Sequence, residues 1–92
     1  MPPKPTGIDE GLLHDIRDAI VEELLKSSRP VTLKEMERAA LTAVERGGGG
    51  VSATKVREAT KWVQSHLEDE GDLNPVAGGF EMSPRGRGRW LR

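Results

Sequence analysis

The sequence contains no cysteine. The chain can therefore form neither a disulfide framework nor a thiolate metal site, and its fold does not depend on the redox state of its compartment. It also has no run of about 18 apolar residues, and its first seven residues lack the apolar centre of a signal peptide. These absences predict a cytoplasmic protein without a membrane segment.

Aromatic residues are almost as scarce, with one Phe, two Trp and no Tyr, so the core must be mainly aliphatic. The 92 residues suffice for one domain, because a domain usually needs about 100. Three prolines and a glycine among the first seven residues exclude a helix there. We therefore predict an extended tail over residues 1–8 and one domain over residues 9–92.

The net charge of −1 argues against a generally basic nucleic-acid binder, but the charge is unevenly distributed. Residues 1–28 carry three basic and six acidic side chains, whereas the segment from Ser83 to the end carries four arginines and no acid. The C-terminal segment is thus the only concentrated field of one sign.

Three helices are predicted from capping residues and from apolar residues at helical spacing. Asp9 is a candidate N-cap for a first helix that runs to about Lys26. Thr32 and Glu35 have the spacing of a capping box, which predicts that helix two begins at Thr32. It should end near Arg46, with Gly47 in the left-handed conformation of a C-cap.

The third helix opens at Ser52 or Thr54, either of which can cap it, and ends before Gly71. Short strands are expected at 72–76 and 80–82 around the turn Ala77-Gly78-Gly79. Residues 89–92 alternate in polarity and are predicted to form a further edge strand. The expected fold class is α+β, mainly α: a three-helix core followed by a C-terminal β-hairpin.

This order resembles the winged helix-turn-helix family over residues 9–92. Residues 29–36 are similar to the link between the first two helices of that family, where a one- or two-residue strand precedes a capped helix. Residues 59–73, with Val63, Leu67 and Gly71, look like the end of a recognition helix that runs into the wing, the β-hairpin of these domains. The resemblance implies a winged-helix fold and a role in binding double-stranded DNA.

In such domains the third helix enters the major groove, where polar side chains near its start reach base edges. The resemblance therefore implies five candidate DNA contacts on this helix: Ser52, Thr54, Lys55, Arg57 and Lys61. Arg57 is the candidate for a base contact because guanidinium pairs bidentately with guanine, and the two lysines are candidates for phosphates. The alternative is a solvated helix face, which Glu58 and Glu68 on the same side favour.

Arg85, Arg87 and Arg89 are the remaining DNA-binding candidates. The alternating glycines remove side chains that would hold the backbone away from a groove, and arginine is favoured in a narrow minor groove. The segment also resembles the Arg-Gly-Arg core of an AT-hook, although glycine or tryptophan stands where the hook has proline. We expect these arginines in the wing, on the DNA backbone or minor groove. The alternative is a cationic tail that serves only solubility.

Other chemistry has no support in the sequence. His14 and His66 lie on different helices without further ligands at metal spacing, and no order of residues indicates a catalytic triad. We expect a binding protein that is not an enzyme and that has no metal, no cofactor and no small-molecule substrate.

The sequence thus predicts a DNA-binding transcriptional regulator, located at the nucleoid within the cytoplasm. A module of this size makes few phosphate contacts, so we expect a homodimer or a protein partner on the acidic first helix. The alternative is a winged-helix adaptor that binds protein within a transcription, replication or phage assembly. The deciding observation is whether the cations of helix three and of the arginine-glycine segment lie on one surface.

Overall fold

A computed structural model describes residues 2–91 of the chain. Met1, from the predicted tail, and Arg92, from the predicted domain and edge strand, lie outside the described residues. The elements follow the order α1 (Glu10–Lys26), α2 (Leu33–Arg46), α3 (Ala53–Asp69), β1 (Leu73–Val76), β2 (Gly79–Met82) and α4 (Pro84–Trp90). The described chain is mainly helical with one antiparallel hairpin, which confirms the predicted class, α+β and mainly α.

The predicted starts of the three long helices are confirmed by their caps. The Asp9 carboxylate accepts hydrogen bonds from the amides of the first turn of α1. Thr32 Oγ1 accepts from the Glu35 amide at 3.1 Å, and Glu35 Oε1 accepts from the Thr32 amide at 3.0 Å, so the capping box is complete. Of the two candidates for α3, Ser52 is the cap, because its hydroxyl accepts from the Lys55 amide at 3.2 Å.

The end of α2 differs from the prediction by one residue. Gly47 has φ −83°, so it is not left-handed, and the first left-handed residue is Gly48 with φ 101°. The Gly47 amide still donates to the Ala43 carbonyl at 3.1 Å, which keeps this residue in the last turn of the helix. The left-handed turn therefore falls on Gly48, which has no Cβ to oppose it.

The hairpin carries a third, very short strand on its free edge. Strands β1 and β2 pair antiparallel with Leu73 opposite Met82 and Val76 opposite Gly79. Val31, just before α2, forms an isolated bridge to Phe80, with two backbone hydrogen bonds of 2.8 and 2.9 Å. The one-residue strand expected in the link between the first two helices is thus present.

The core lies between the three long helices, which contact one another, and the hairpin, whose strands contact α1 and α3. Its largest fully buried aliphatic side chains are Ile16, Ile20, Leu24, Met36, Leu73, Val31, Val56 and Val63. Within residues 2–91, no helix combines the length and the apolar character needed to cross a bilayer.

The arginine-glycine segment is where the structure contradicts the prediction. Residues 84–90 form the short helix α4, so Arg85, Arg87 and Arg89 lie neither in the hairpin nor in a further edge strand. Ser83 caps this helix by accepting from the Gly86 amide at 3.0 Å, and Pro84 occupies its first turn, where proline is well tolerated. Gly86 packs closely against Asp72 and Met82, and this tertiary contact stabilises a helix that the glycines alone would disfavour.

Candidate functional site

The first half of α3 presents most of its predicted contact residues to solvent. Val56, Ala59 and Val63 are buried in the core, which fixes the rotation of the helix. Ser52, Thr54, Arg57 and Lys61 are consequently exposed, and Lys55 is half-buried. The structure thus places the five candidates on the cap and the first half of α3, with four of them exposed.

Two of the three cations in this group have acidic neighbours. Arg57 Nε lies 3.5 Å from Glu37 Oε1 of α2, and Lys55 Nζ lies 3.5 Å from Glu58 Oε2 of its own helix. These exposed pairs contribute little to stability, but they place negative charge directly beside the cations. The positive field at the start of α3 is therefore weaker than its basic residues alone indicate.

The N-terminal segment lies against the same face of α3. Residues 2–6 contain no helix or strand, as predicted, and together with Lys55, Glu58 and Lys61 they line a recess. Lys55 Nζ lies 3.4 Å from Thr6 Oγ1, and Lys4 forms an ion pair with Glu10 at the start of α1. The segment therefore adds one lysine to this end of the molecule while occupying space beside the outward face of α3.

The hairpin beside α3 carries no positive charge. Residues 73–82 include neither lysine nor arginine, and their one charged residue is Glu81. Phe80 is half-buried against the core, and the turn is formed by Ala77 and Gly78. The hairpin thus lacks the cations expected of a wing that binds a phosphate backbone.

Helix α4 is anchored by a buried carboxylate that sequence reasoning missed. Asp72 is 1% exposed, and its Oδ2 accepts from Arg89 Nη1 and from Trp90 Nε1, each at 3.2 Å. Its Oδ1 is buried without a hydrogen-bond partner among the described residues. These contacts join residues 17 and 18 positions apart, so no local pattern marked Asp72 as their partner.

Arg89 is also paired with the end of α3. Its Nη1 donates to Glu70 Oε2 at 3.0 Å, and this hydrogen bond is the main reason why the pKa of Glu70 lies below its ordinary value. The same bond, followed by the nearby Asp72 charge, raises the pKa of Arg89. Arg89 is therefore a structural residue that joins α4 to the body of the domain. Among the described residues, Arg85 and Arg87 have no ion pair within 4.0 Å.

The two groups of predicted cations lie at different ends of α3. Arg57 lies near the helix start, whereas Arg89 contacts Glu70 at its C-terminal cap; thirteen residues of helix correspond to about 20 Å. The Arg17 guanidinium of α1 stacks over the Trp90 ring at 5.1 Å, which places α4 beside α1. The arginine-glycine segment thus lies beside α1 and the C-terminal end of α3, away from the first turn of α3.

Between α1 and α4 lies an apolar recess, which we call the α1–α4 groove. It has a volume of about 460 Å³ and is lined by Asp18, Val21, Glu22, Leu25, Lys26, Trp90 and Leu91. Leu91 is 59% exposed, the one large hydrophobic side chain among the described residues that is exposed. No local pattern in the sequence indicated this recess, because its lining comes from two elements that are far apart along the chain.

Comparisons of the chain with protein-family models, with curated proteins and with solved structures find no match. Among residues 2–91, no group of three or more potential metal ligands is gathered in one place.

Proposed function

We propose that this chain is a protein-binding adaptor module of winged-helix type. The order of three helices and a hairpin, with Val31 bridging to Phe80 beside the capped start of α2, supports the winged-helix assignment. The module binds and does not catalyse, and its proposed location is the cytoplasm.

One observation carries the choice of protein over DNA: the hairpin has no basic residue, and the arginines expected there belong to α4 instead. Duplex binding draws most of its affinity from cations that neutralise successive phosphates. Here Arg57 and Lys55 are paired with acids, and Arg89 is held by Glu70 and Asp72. A continuous positive surface of duplex width is not supported by this arrangement.

The α1–α4 groove supports a protein partner. Its apolar lining includes an aromatic and three aliphatic side chains, the kind of surface that forms the centre of protein interfaces. Three charged residues of α1, Asp18, Glu22 and Lys26, also line it, and the rims of such interfaces are likewise polar. A contiguous exposed apolar patch with a polar rim commonly marks an interaction site.

The proposal is tested by photocrosslinking in cells of the source organism. A photoreactive residue replaces Leu91 in the groove, and in the control it replaces Ala53, which is exposed at the start of α3. We expect discrete protein adducts from position 91 and none from position 53. Nucleic-acid adducts from position 53, without protein adducts from position 91, would overturn the proposal.

Duplex DNA remains the second candidate, because Thr54, Arg57 and Lys61 form an exposed polar face at the start of α3. A mobility-shift titration with mixed duplexes at about 50 and 200 mM salt measures this function, since phosphate contacts make affinity steeply salt-dependent. The adaptor proposal expects no retained duplex at the lower salt concentration. Retention with a steep salt slope favours DNA.

Two variants refine the DNA measurement if retention is seen. Arg57→Ala should reduce sequence preference, whereas Arg85→Ala with Arg87→Ala should weaken binding to every duplex and flatten the salt slope. Arg89 is left intact because its loss would disturb α4 through Glu70 and Asp72. An unchanged slope in the double variant removes α4 from any DNA contact.

A further inference from the structure

Residues 2–7, which we call the strap, lie beside α3. Ile8 packs against the core, and Gly7 has φ 77°, so the chain bends between the first turn of α1 and the strap. Proline fixes φ near −65°, and the three prolines of the strap keep it extended. The strap therefore loses little conformational entropy when it lies against the helix.

The strap borders the side of α3 that carries two of its lysines. Lys55, Glu58 and Lys61 follow one another at three-residue spacing, which places them on one side of the helix. They and residues 2–6 line one recess of about 280 Å³. Lys55 to Lys61 spans about 9 Å of helix, and five extended residues span about 15 Å, so the strap is long enough to pass both lysines.

The contacts that hold the strap are weak. Lys55 Nζ donates to Thr6 Oγ1 at 3.4 Å, a long hydrogen bond at an exposed position. Lys4 forms an ion pair with Glu10 of α1 in which both side chains are at least half exposed, and such pairs contribute little. A strap held in this way is closed in the folded chain, yet a small change in free energy displaces it.

We propose that the strap inhibits the binding of double-stranded DNA to α3. In the closed state Thr6 and Glu58 hold Lys55 Nζ, at 3.4 and 3.5 Å, and the strap occupies space beside the helix. Displacement of the strap removes Thr6 and leaves Lys55 able to reach a phosphate. This inference goes beyond the adaptor proposal, because it concerns α3 and not the α1–α4 groove.

Gly7→Val displaces the strap without changing any charge. A branched side chain is strongly disfavoured at φ 77°, and the added Cβ would meet nothing nearer than Lys55 Cε at 4.0 Å, so the change acts through the backbone. Gly49→Val is the matched control, because Gly49 also has φ 77° and its Cβ position has no atom within 4 Å. Circular dichroism checks that both variants are folded.

Lysine acetylation by an amine-reactive ester, followed by mass spectrometry, measures whether the strap is closed. Lys55 should react about threefold faster in Gly7→Val than in wild type or Gly49→Val, because the closed state covers it. Lys34, exposed on α2, is the internal reference. Equal rates at Lys55 in the three chains overturn the closed strap.

Fluorescence anisotropy with a mixed-sequence duplex at about 50 mM salt measures the inhibition. We expect Gly7→Val to bind about tenfold more tightly than wild type and Gly49→Val, the gain from one further phosphate contact at this salt concentration. Adding Lys55→Ala to Gly7→Val should abolish the gain, since Lys55 is the cation that displacement releases. The absence of a gain, or a gain that survives Lys55→Ala, overturns the inhibition.

The strap and the adaptor proposal fail in different ways. Duplex binding by Gly7→Val alone supports the strap and leaves the adaptor proposal intact. Equal binding by wild type and Gly7→Val overturns the strap and favours DNA as the partner of the chain. Binding by neither overturns the strap, while protein adducts from position 91 still support the adaptor.

Discussion

Gly86 and Gly88 belong to the same arginine-glycine segment but have different surroundings. A Cβ at position 86 would lie 2.5 Å from the carbonyl oxygen of Asp72 and 2.5 Å from the sulfur of Met82. A Cβ at position 88 would meet nothing within 4 Å. Gly86 thus permits the close approach of α4 to Asp72 and to Met82 of β2, whereas Gly88 has no such packing role.

Gly86→Ala should therefore loosen α4 and lower the free energy of unfolding by about 1–3 kcal/mol, the usual cost of overpacking. Gly88→Ala is the matched control and should be neutral or stabilising by about 0.5–1 kcal/mol, because alanine favours the helix. Urea unfolding followed by tryptophan fluorescence measures both. Equal stabilities of the two variants would contradict the assigned role of Gly86.

Asp72 holds the same helix by polar contacts, because its carboxylate accepts hydrogen bonds from Arg89 and Trp90 of α4. Asp72→Asn keeps one oxygen acceptor but removes the charge that faces Arg89, and it places an amide group where Oδ1 has no partner. We expect a loss of about 1–3 kcal/mol in the free energy of unfolding, with a changed Trp90 emission. Asp69→Asn, an exposed change at the end of α3, is the control. A Trp90 emission that stays unchanged in Asp72→Asn would count against this anchor.

At the scale of the element, helix α2 owes its start to the capping box and to the apolar pair Val31 and Met36 that flanks it. Val31 and Met36, which flank this cap, are both buried, so the chain enters the helix at a fixed angle. Arg29 Nη2 donates to Glu35 Oε2 at 2.8 Å. The pKa of Glu35 is lowered, mainly by the hydrogen bond that it accepts from the Thr32 amide and further by the charge of Arg29.

Thr32→Ala should lower the free energy of unfolding by about 1 kcal/mol, because it leaves the Glu35 amide without its acceptor. Thr42→Ala removes an exposed hydroxyl from the middle of the same helix and should change stability by less than about 0.5 kcal/mol. Thermal unfolding followed by circular dichroism compares them. A cap variant as stable as the Thr42 variant would show that the box contributes nothing.

Helix α4 should respond to acid through Glu70. Since the pKa of this carboxyl is lowered in the folded state, its contribution is present above the ordinary value of 4.5 and is lost as pH falls through the lower folded value. Glu70→Gln should therefore flatten the loss of stability below pH 4.5. Glu81→Gln, on the exposed hairpin, is the control, and urea unfolding across this range is the measurement. The same acid dependence in Glu70→Gln and wild type would refute the assignment.

At the scale of the whole molecule, the domain buries its aliphatic core yet leaves Trp90 partly and Leu91 largely exposed. A domain of this size buries only about 60% of the surface that its unfolded chain exposes, so intrinsic stability is modest. Association of the folded state adds to that stability by mass action. A partner that binds the folded chain in the groove would therefore add to its stability.

The candidate site was less predictable than the fold. The five residues of α3 could be identified because their outward orientation follows from the buried face of the same helix. The pairing of Arg57 with Glu37 links two helices, and that of Arg89 with Glu70 joins residues that lie on either side of the hairpin in the sequence. Such contacts depend on how elements pack, which the spacing of residues along the chain does not reveal.

The sequence by itself determined the three long helices and the hairpin, because caps such as Thr32 and the helical spacing of apolar residues act within a few positions. Only the tertiary structure decided the conformation of residues 84–90. Gly86 tolerates many conformations, and the helix is selected by its close approach to Asp72 and by the bonds of Arg89 and Trp90 to that carboxylate. The same docking decided the surface of the molecule, since it placed the arginines beside α1 and formed the groove.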